Sequence, residues 1–175
     1  MNTRNREPES GSCGCEGGKK SEDFETISIR TTEASCGLCE RYVEARRDRR
    51  YAVVSCEGAC LRGEISRQAA NALCHELAPA QTVRICSGSA LTKDSGQRSL
   101  LRDAAQVLLL EGCPVACASR SLGAVVPQMN KRVFDTSTMA DFDESLFGID
   151  ELEPEKIRSI ARAVADEVFS QVIKV

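Results

Sequence analysis

Val107-Leu108-Leu109-Leu110-Glu111-Gly112-Cys113-Pro114-Val115-Ala116-Cys117 is the stretch whose reading decides the fold. A short aliphatic run flanked by turn residues has the length of a strand buried on both faces, as in parallel sheets. Gly112 provides the turn at its end. Pro114 is suited to the first position of a following helix, where a missing N–H costs no hydrogen bond. This reading places Cys113 at the helix cap and Cys117 one turn inside, with both thiols beyond the strand end.

Working outward, the same grammar repeats. Tyr51-Ala52-Val53-Val54-Ser55-Cys56 reads as a short apolar strand, Glu57 to Gly63 as its turn, and Glu64 to Leu77 as a helix. Ile65, Ala69, Ala72, Leu73 and Leu77 recur near helical spacing, and Pro79 closes the segment. Thr82 to Cys86 is a second strand, Ser87 to Ser95 a Ser- and Gly-rich loop, and Gln97 to Gln106 a short helix. After Cys117 the helix is expected to run to about Leu122 and stop at Gly123. Lys131 to Asp135 is a fourth strand, and Met139 to Ile149 an acidic, irregular connection. Pro154 opens a final amphipathic helix to about Ile173, with Ile157, Ile160, Ala161, Val164, Val168, Phe169 and Val172 on its apolar side.

Strands alternating with helices predict an α/β domain over residues 51–175: a three-layer, Rossmann-like, doubly wound, mostly parallel sheet of about four strands. Residues 1–50 read as a flexible, Cys-rich N-terminal extension, in which Phe24 to Arg30 alternates like an edge strand. The Arg-rich run from Arg46 to Arg50 reads as a solvated helix terminus.

The 175 residues suffice for one domain with an aliphatic core, since Trp is absent and Phe and Tyr are few. A net charge of −3 gives no support for nucleic acid or an anionic membrane as partner. No apolar run approaches the roughly 18–20 residues that span a bilayer. The polar, Gly-rich first thirty residues do not resemble a secretory signal, so a cytoplasmic location is expected. Ten cysteines in a reducing compartment favour metal binding or thiol chemistry over a disulfide framework.

In an open α/β sheet the ligand site lies beyond the carboxyl ends of the strands. Cys56, Cys86 and Cys113 each end a predicted strand and so share one rim. Cys60 and Cys117 follow two of them by four residues, at helix openings, where partial positive charge favours thiolates. Asp135 ends the fourth strand, and Ser55, Glu57, Ser87 and Glu111 are near enough in sequence to support the site.

Three chemistries suit such a rim: a zinc ion held by four thiolates, an iron–sulfur cluster, or thiol redox or sulfur transfer with Cys113 or Cys117 as nucleophile. Cys-x-x-x-Cys is not the usual redox spacing, and neither GxGxxG nor a P-loop occurs. Cys13, Cys15, Cys36 and Cys39 form a candidate second four-thiol set. Cys74, inside a predicted helix, reads as a buried hydrophobe, and His75 as a surface residue. With a single histidine, a Ser/His/Asp triad has no support.

Glu111-Gly112-Cys113-Pro114-Val115-Ala116-Cys117-Ala118, with the strands leading to Cys56 and Cys86, Gly58, Gly63 and the terminal helix, resembles the DGC-domain family over about residues 52–173. That family is named for an Asp-Gly-Cys motif and is proposed to bind zinc through four cysteines. By position, the resemblance implies Cys56, Cys86, Cys113 and Cys117 as metal ligands and zinc as the metal, for metal handling or sensing. The sequence departs from the family pattern at Glu111, where the family has Asp. It also departs at Cys60, a fifth rim thiol where a small polar residue is usual.

Overall fold

The structure is a computed structural model that describes residues 24–139, 141, 143 and 145–174. Its centre is β3 (Gln106–Glu111), buried from Val107 onward. Side chains alternate across a strand, so Leu108 and Leu110 enter one apolar cluster while Val107 and Leu109 enter another on the opposite face. Strand β1 (Tyr51–Ser55) behaves alike, with Tyr51 and Val53 on the first face and Ala52 and Val54 on the second. A strand buried on both faces presents apolar side chains to each, which is why Ala52 to Val54 and Val107 to Leu110 show no polar alternation.

Four strands, all parallel, lie in the order β2-β1-β3-β4, with β2 at Thr82–Arg84 and β4 at Lys131–Asp135. Val53 is in register with Arg84 on one side and Leu108 on the other, and Leu110 pairs with Phe134. Helices α2 (Leu61–Ala72) and α6 (Pro154–Val172) cover the first face through Ile65, Ala69, Ile157, Ala161, Val164 and Val168. The second face is covered by α1 (Gly37–Glu44), α3 (Ser87–Thr92), α4 (Gly96–Asp103) and α5 (Cys117–Val125). This is the three-layer α/β arrangement expected. Pro154 occupies the first turn of α6, as anticipated.

Several local expectations are corrected. Residues 24–30 form no strand: Phe24 and Ile27 are exposed, and an alternating segment without a paired neighbour has no ladder to stabilise it. Residues 87–92 are helical instead of a loop, and the Thr92 hydroxyl donates to the Gly88 carbonyl at 2.6 Å. Helix α5 begins at Cys117, not Pro114, because Cys113 to Val115 turn and Ala116 takes the left-handed conformation (φ 52°, ψ 49°). It then continues through Gly123 to Val125. At its other end α2 finishes in a π-turn, Leu73–Leu77.

Helix α1 precedes the segment expected to open the core domain and is packed on it. Val43 is buried, and a Cβ on Gly96 would lie 2.7 Å from Val43 Cγ1, so a glycine there lets α4 approach α1. The Tyr42 hydroxyl donates to the Arg84 carbonyl at 2.8 Å and accepts from the Arg84 N–H at 3.1 Å, taking up backbone groups at the edge of β2. Among the described residues, no helix is long and apolar enough to cross a membrane.

Candidate functional site

Strand order reverses between β1 and β3: β1 is followed by α2 on one face, and β3 by α5 on the other. Connections that leave on opposite faces open a crevice at the carboxyl ends of these two strands. Cys56 and Cys60 lie in the β1–α2 connection, and Cys113 and Cys117 in the β3–α5 connection.

Three glycines bring the two connections together. A Cβ on Gly63 would lie 2.9 Å from the backbone N and O of Gly58, and one on Gly112 would lie 2.8 Å from the carbonyl of Arg62 and 3.0 Å from Gly63 N. The first turn of α2 is therefore held between the β1 and β3 loops at separations that only glycine permits. Phe147 O accepts the Leu61 N–H at 2.8 Å, and Gly148 bridges Cys60, fixing the start of the same helix.

Cys56 is the buried member of the group. Burial pushes its thiol up from the ordinary range, while the N–H groups of Gly58 and Gly112 donate toward the sulfur and oppose that shift. Cys117 and Glu111 both lie within electrostatic reach and disfavour a second negative charge. The Cys56 and Cys60 sulfurs flank one point, each 3.6 Å from where a Gly58 Cβ would stand. Cys113 and Cys60 are partly buried, and Cys117 is exposed.

Glu111 is 2% exposed. Its Oε1 accepts from both the N–H and the hydroxyl of Ser119, at 2.6 Å each, and so satisfies a free donor in the first turn of α5. Its Oε2 is buried with no hydrogen-bond partner among the described residues. A buried carboxylate oxygen left unpaired is costly.

Cys86 lies two residues beyond the end of β2, on the far side of β1, and caps α3, which packs against α5. Its N–H donates to Gln97 Oε1 at 3.2 Å, and Gln97 Nε2 donates to Cys39 Sγ at 3.5 Å. The Cys36-x-x-Cys39 pair at the start of α1 is thereby placed on the rim beside Cys86. Cys13 and Cys15 lie outside the described residues. Among those described, no three His, Cys, Asp or Glu side chains stand in position to hold a metal ion.

The remaining residues separate cleanly. Ser55 and Glu57 are engaged by Arg84, whose Nη2 donates to Ser55 Oγ at 2.6 Å and pairs with Glu57. Ser87 Oγ is buried without a hydrogen-bond partner among the described residues. The Asp135 carboxylate accepts from the N–H and hydroxyl of Ser137, closing its own turn. Cys74 is buried, as expected, and its thiol is pushed up to about 11 by desolvation; His75 is exposed. Gln97 escaped sequence reasoning altogether, because a glutamine in a short helix carries no signal of burial.

The fold and rim together define a parallel α/β domain with cysteine thiols gathered around its switch-point crevice. The DGC domain matches residues 52–164, more than half of the sequence, and the chain belongs to the DGC-domain family. Neither a curated protein nor a solved structure matches it.

Proposed function

We propose that this protein binds zinc through cysteine thiolates at the carboxyl rim of its sheet, in a metal-handling or sensing role. The ligand set implied by family resemblance is Cys56, Cys86, Cys113 and Cys117. The observation that carries the reading is the surroundings of Cys56: two N–H groups aimed at its sulfur, Cys117 nearby, and a buried carboxylate oxygen of Glu111 with no partner. Thiolate sulfur is a soft donor matched to zinc, and four such ligands fill its tetrahedral shell. Cysteine has one side-chain torsion, so gathering the sulfurs requires rotamer changes; the β1 and β3 connections, which carry Cys56, Cys113 and Cys117, already meet through Gly63 and Gly112.

Metal analysis of the full-length protein purified without oxygen tests this. The expected result is a colourless protein with zinc bound and rim thiols protected from alkylation. A brown protein with charge-transfer absorption would replace zinc by an iron–sulfur cluster. A metal-free protein with a rapidly alkylated Cys113 or Cys117 would point to thiol redox or sulfur-transfer chemistry instead.

A further inference from the structure

We infer that Cys36 and Cys39, which lie outside the proposed metal ligands, form a dithiol that reduces an exposed disulfide on another molecule, Cys36 attacking and Cys39 resolving. This activity is separate from zinc binding and stands without it. Among the described cysteines these two alone share a helical turn: Cys36 caps α1, and its carbonyl accepts the Glu40 N–H at 3.0 Å. Three residues along a helix set the Cα atoms about 5 Å apart, inside the range of about 4.4–6.8 Å that a disulfide bridges. Cys113 and Cys117 are separated by left-handed Ala116, and Cys56 and Cys60 by the β1–α2 loop, so neither of those pairs has this register.

The two thiols differ in the way that exchange requires. Cys36 is exposed, as an attacking sulfur must be. Lys93 Nζ donates to the Ala34 carbonyl at 2.6 Å, and Arg41 Nη1 lies 3.7 Å from where a Gly37 Cβ would stand. Two cations thus flank the backbone that carries Cys36, the accessible, electropositive setting in which reactive cysteines are found. Cys39 is half-buried and packs against the apolar cluster of the second face, and Gln97 Nε2 donates to its sulfur at 3.5 Å. Gln97 is 4% exposed and its Oε1 accepts the Cys86 N–H, so the amide that holds Cys39 is itself fixed. In the reaction the Cys36 sulfur attacks one substrate sulfur, the substrate S–S bond breaks, and the departing sulfur takes up the proton that Cys36 gave up. Cys39 then loses its proton, attacks the Cys36 sulfur, and releases the second substrate thiol. Two electrons pass from protein to substrate, leaving a Cys36–Cys39 disulfide and two thiols, and a dithiol reductant restores the protein.

The test exposes the reduced, zinc-treated full-length protein to oxidised glutathione or to a peptide with one disulfide, then alkylates it and maps the cysteines by mass. A Cys36–Cys39 disulfide should be the first protein product with either probe, a readout that needs no variant. Cys39→Ser should stop at a mixed disulfide on Cys36. Cys36→Ser should react about 10-fold or more slowly, because the thiol that remains is half-buried. A first bond at Cys113–Cys117 or Cys56–Cys60, or equal oxidation of all the exposed thiols, overturns the inference. Zinc that shields Cys36 and Cys39 from alkylation also overturns it, since the pair would then be metal ligands. Protein that binds no zinc yet forms the Cys36–Cys39 bond supports this activity and refutes the metal-binding reading alone.

Discussion

Gly63 and Gly123 are both helical glycines, and the structure assigns opposite signs to replacing them with alanine. Glycine inside a helix is disfavoured relative to alanine by about 0.5–1 kcal/mol, so each substitution begins with that gain. At Gly123 nothing lies within 4 Å of the new Cβ, and the gain stands alone. At Gly63 the Cβ meets three backbone atoms of Gly58 at 2.9–3.0 Å, and a loop backbone cannot swing aside as a flexible side-chain tip can. Overpacking costs about 1–3 kcal/mol, and contact with backbone places this site at the upper end. The net for Gly63→Ala is therefore a loss of about 2 kcal/mol. For a chain of this length each kcal/mol moves the melting temperature by about 2–4 °C. Thermal denaturation with reductant and chelator present should show Gly63→Ala melting about 4–8 °C below the wild type. Gly123→Ala should melt about 1–4 °C above it. A Gly63→Ala protein as stable as the wild type would refute the three-glycine contact and, with it, the positioning of the two thiol loops.

Glu111→Gln retains an acceptor for Ser119 and replaces the unpaired carboxylate oxygen by an amide NH2, which removes a negative charge beside Cys56. Zinc binding should weaken in the same variant; an unchanged zinc affinity, read by competition with a chelator, would detach Glu111 from the site. The Cys74 thiol is raised from 9.0 to about 11, so the folded state holds this proton more tightly than the unfolded state does. The stability it contributes is full below pH 9 and is lost as pH rises through 11, a fall of about 3 kcal/mol. Urea unfolding of the metal-free protein across that window should show the decline, and Cys74→Ala should flatten it. Buried Cys56, also raised, contributes in the same direction. Tyr42→Phe strips both contacts from the Arg84 backbone and should cost about 1–3 kcal/mol in urea unfolding. It should also speed alkylation of Cys39, while unchanged alkylation would mean that α1 is held by Val43 alone.

The strands and their parallel direction were legible because runs such as Val53-Val54 and Leu108-Leu109-Leu110 are apolar without alternation, a pattern that burial on both faces requires. The last helix was legible for a similar reason, since its apolar side is complete from Ile157 to Val172. Features set by backbone approach were not. Gly58, Gly63 and Gly112 look like turn residues in sequence, and their shared contact exists only once the loops meet. The start of α5 was misplaced because Pro114 is a good first helical residue in general, and nothing in the letters shows that Ala116 reverses the chain. The rim cysteines were found by counting strand ends. The strand order was not, so nothing in the letters showed that β1 lies beside β3 with Cys86 on the outer side of β1.

Ala116 also changes what the interval between Cys113 and Cys117 means. Within a helix, four residues would stack the two sulfurs on one face. Here a left-handed residue, with its N–H on the Cys113 carbonyl at 3.1 Å, absorbs the change of direction before the helix begins. The interval is a loop length and not a helical period. Pro114 and Val115, exposed at its tip, are decoupled from the placement of the thiols on either side. The surface that greets an incoming molecule can therefore vary in shape and polarity while the sulfurs behind it keep their positions.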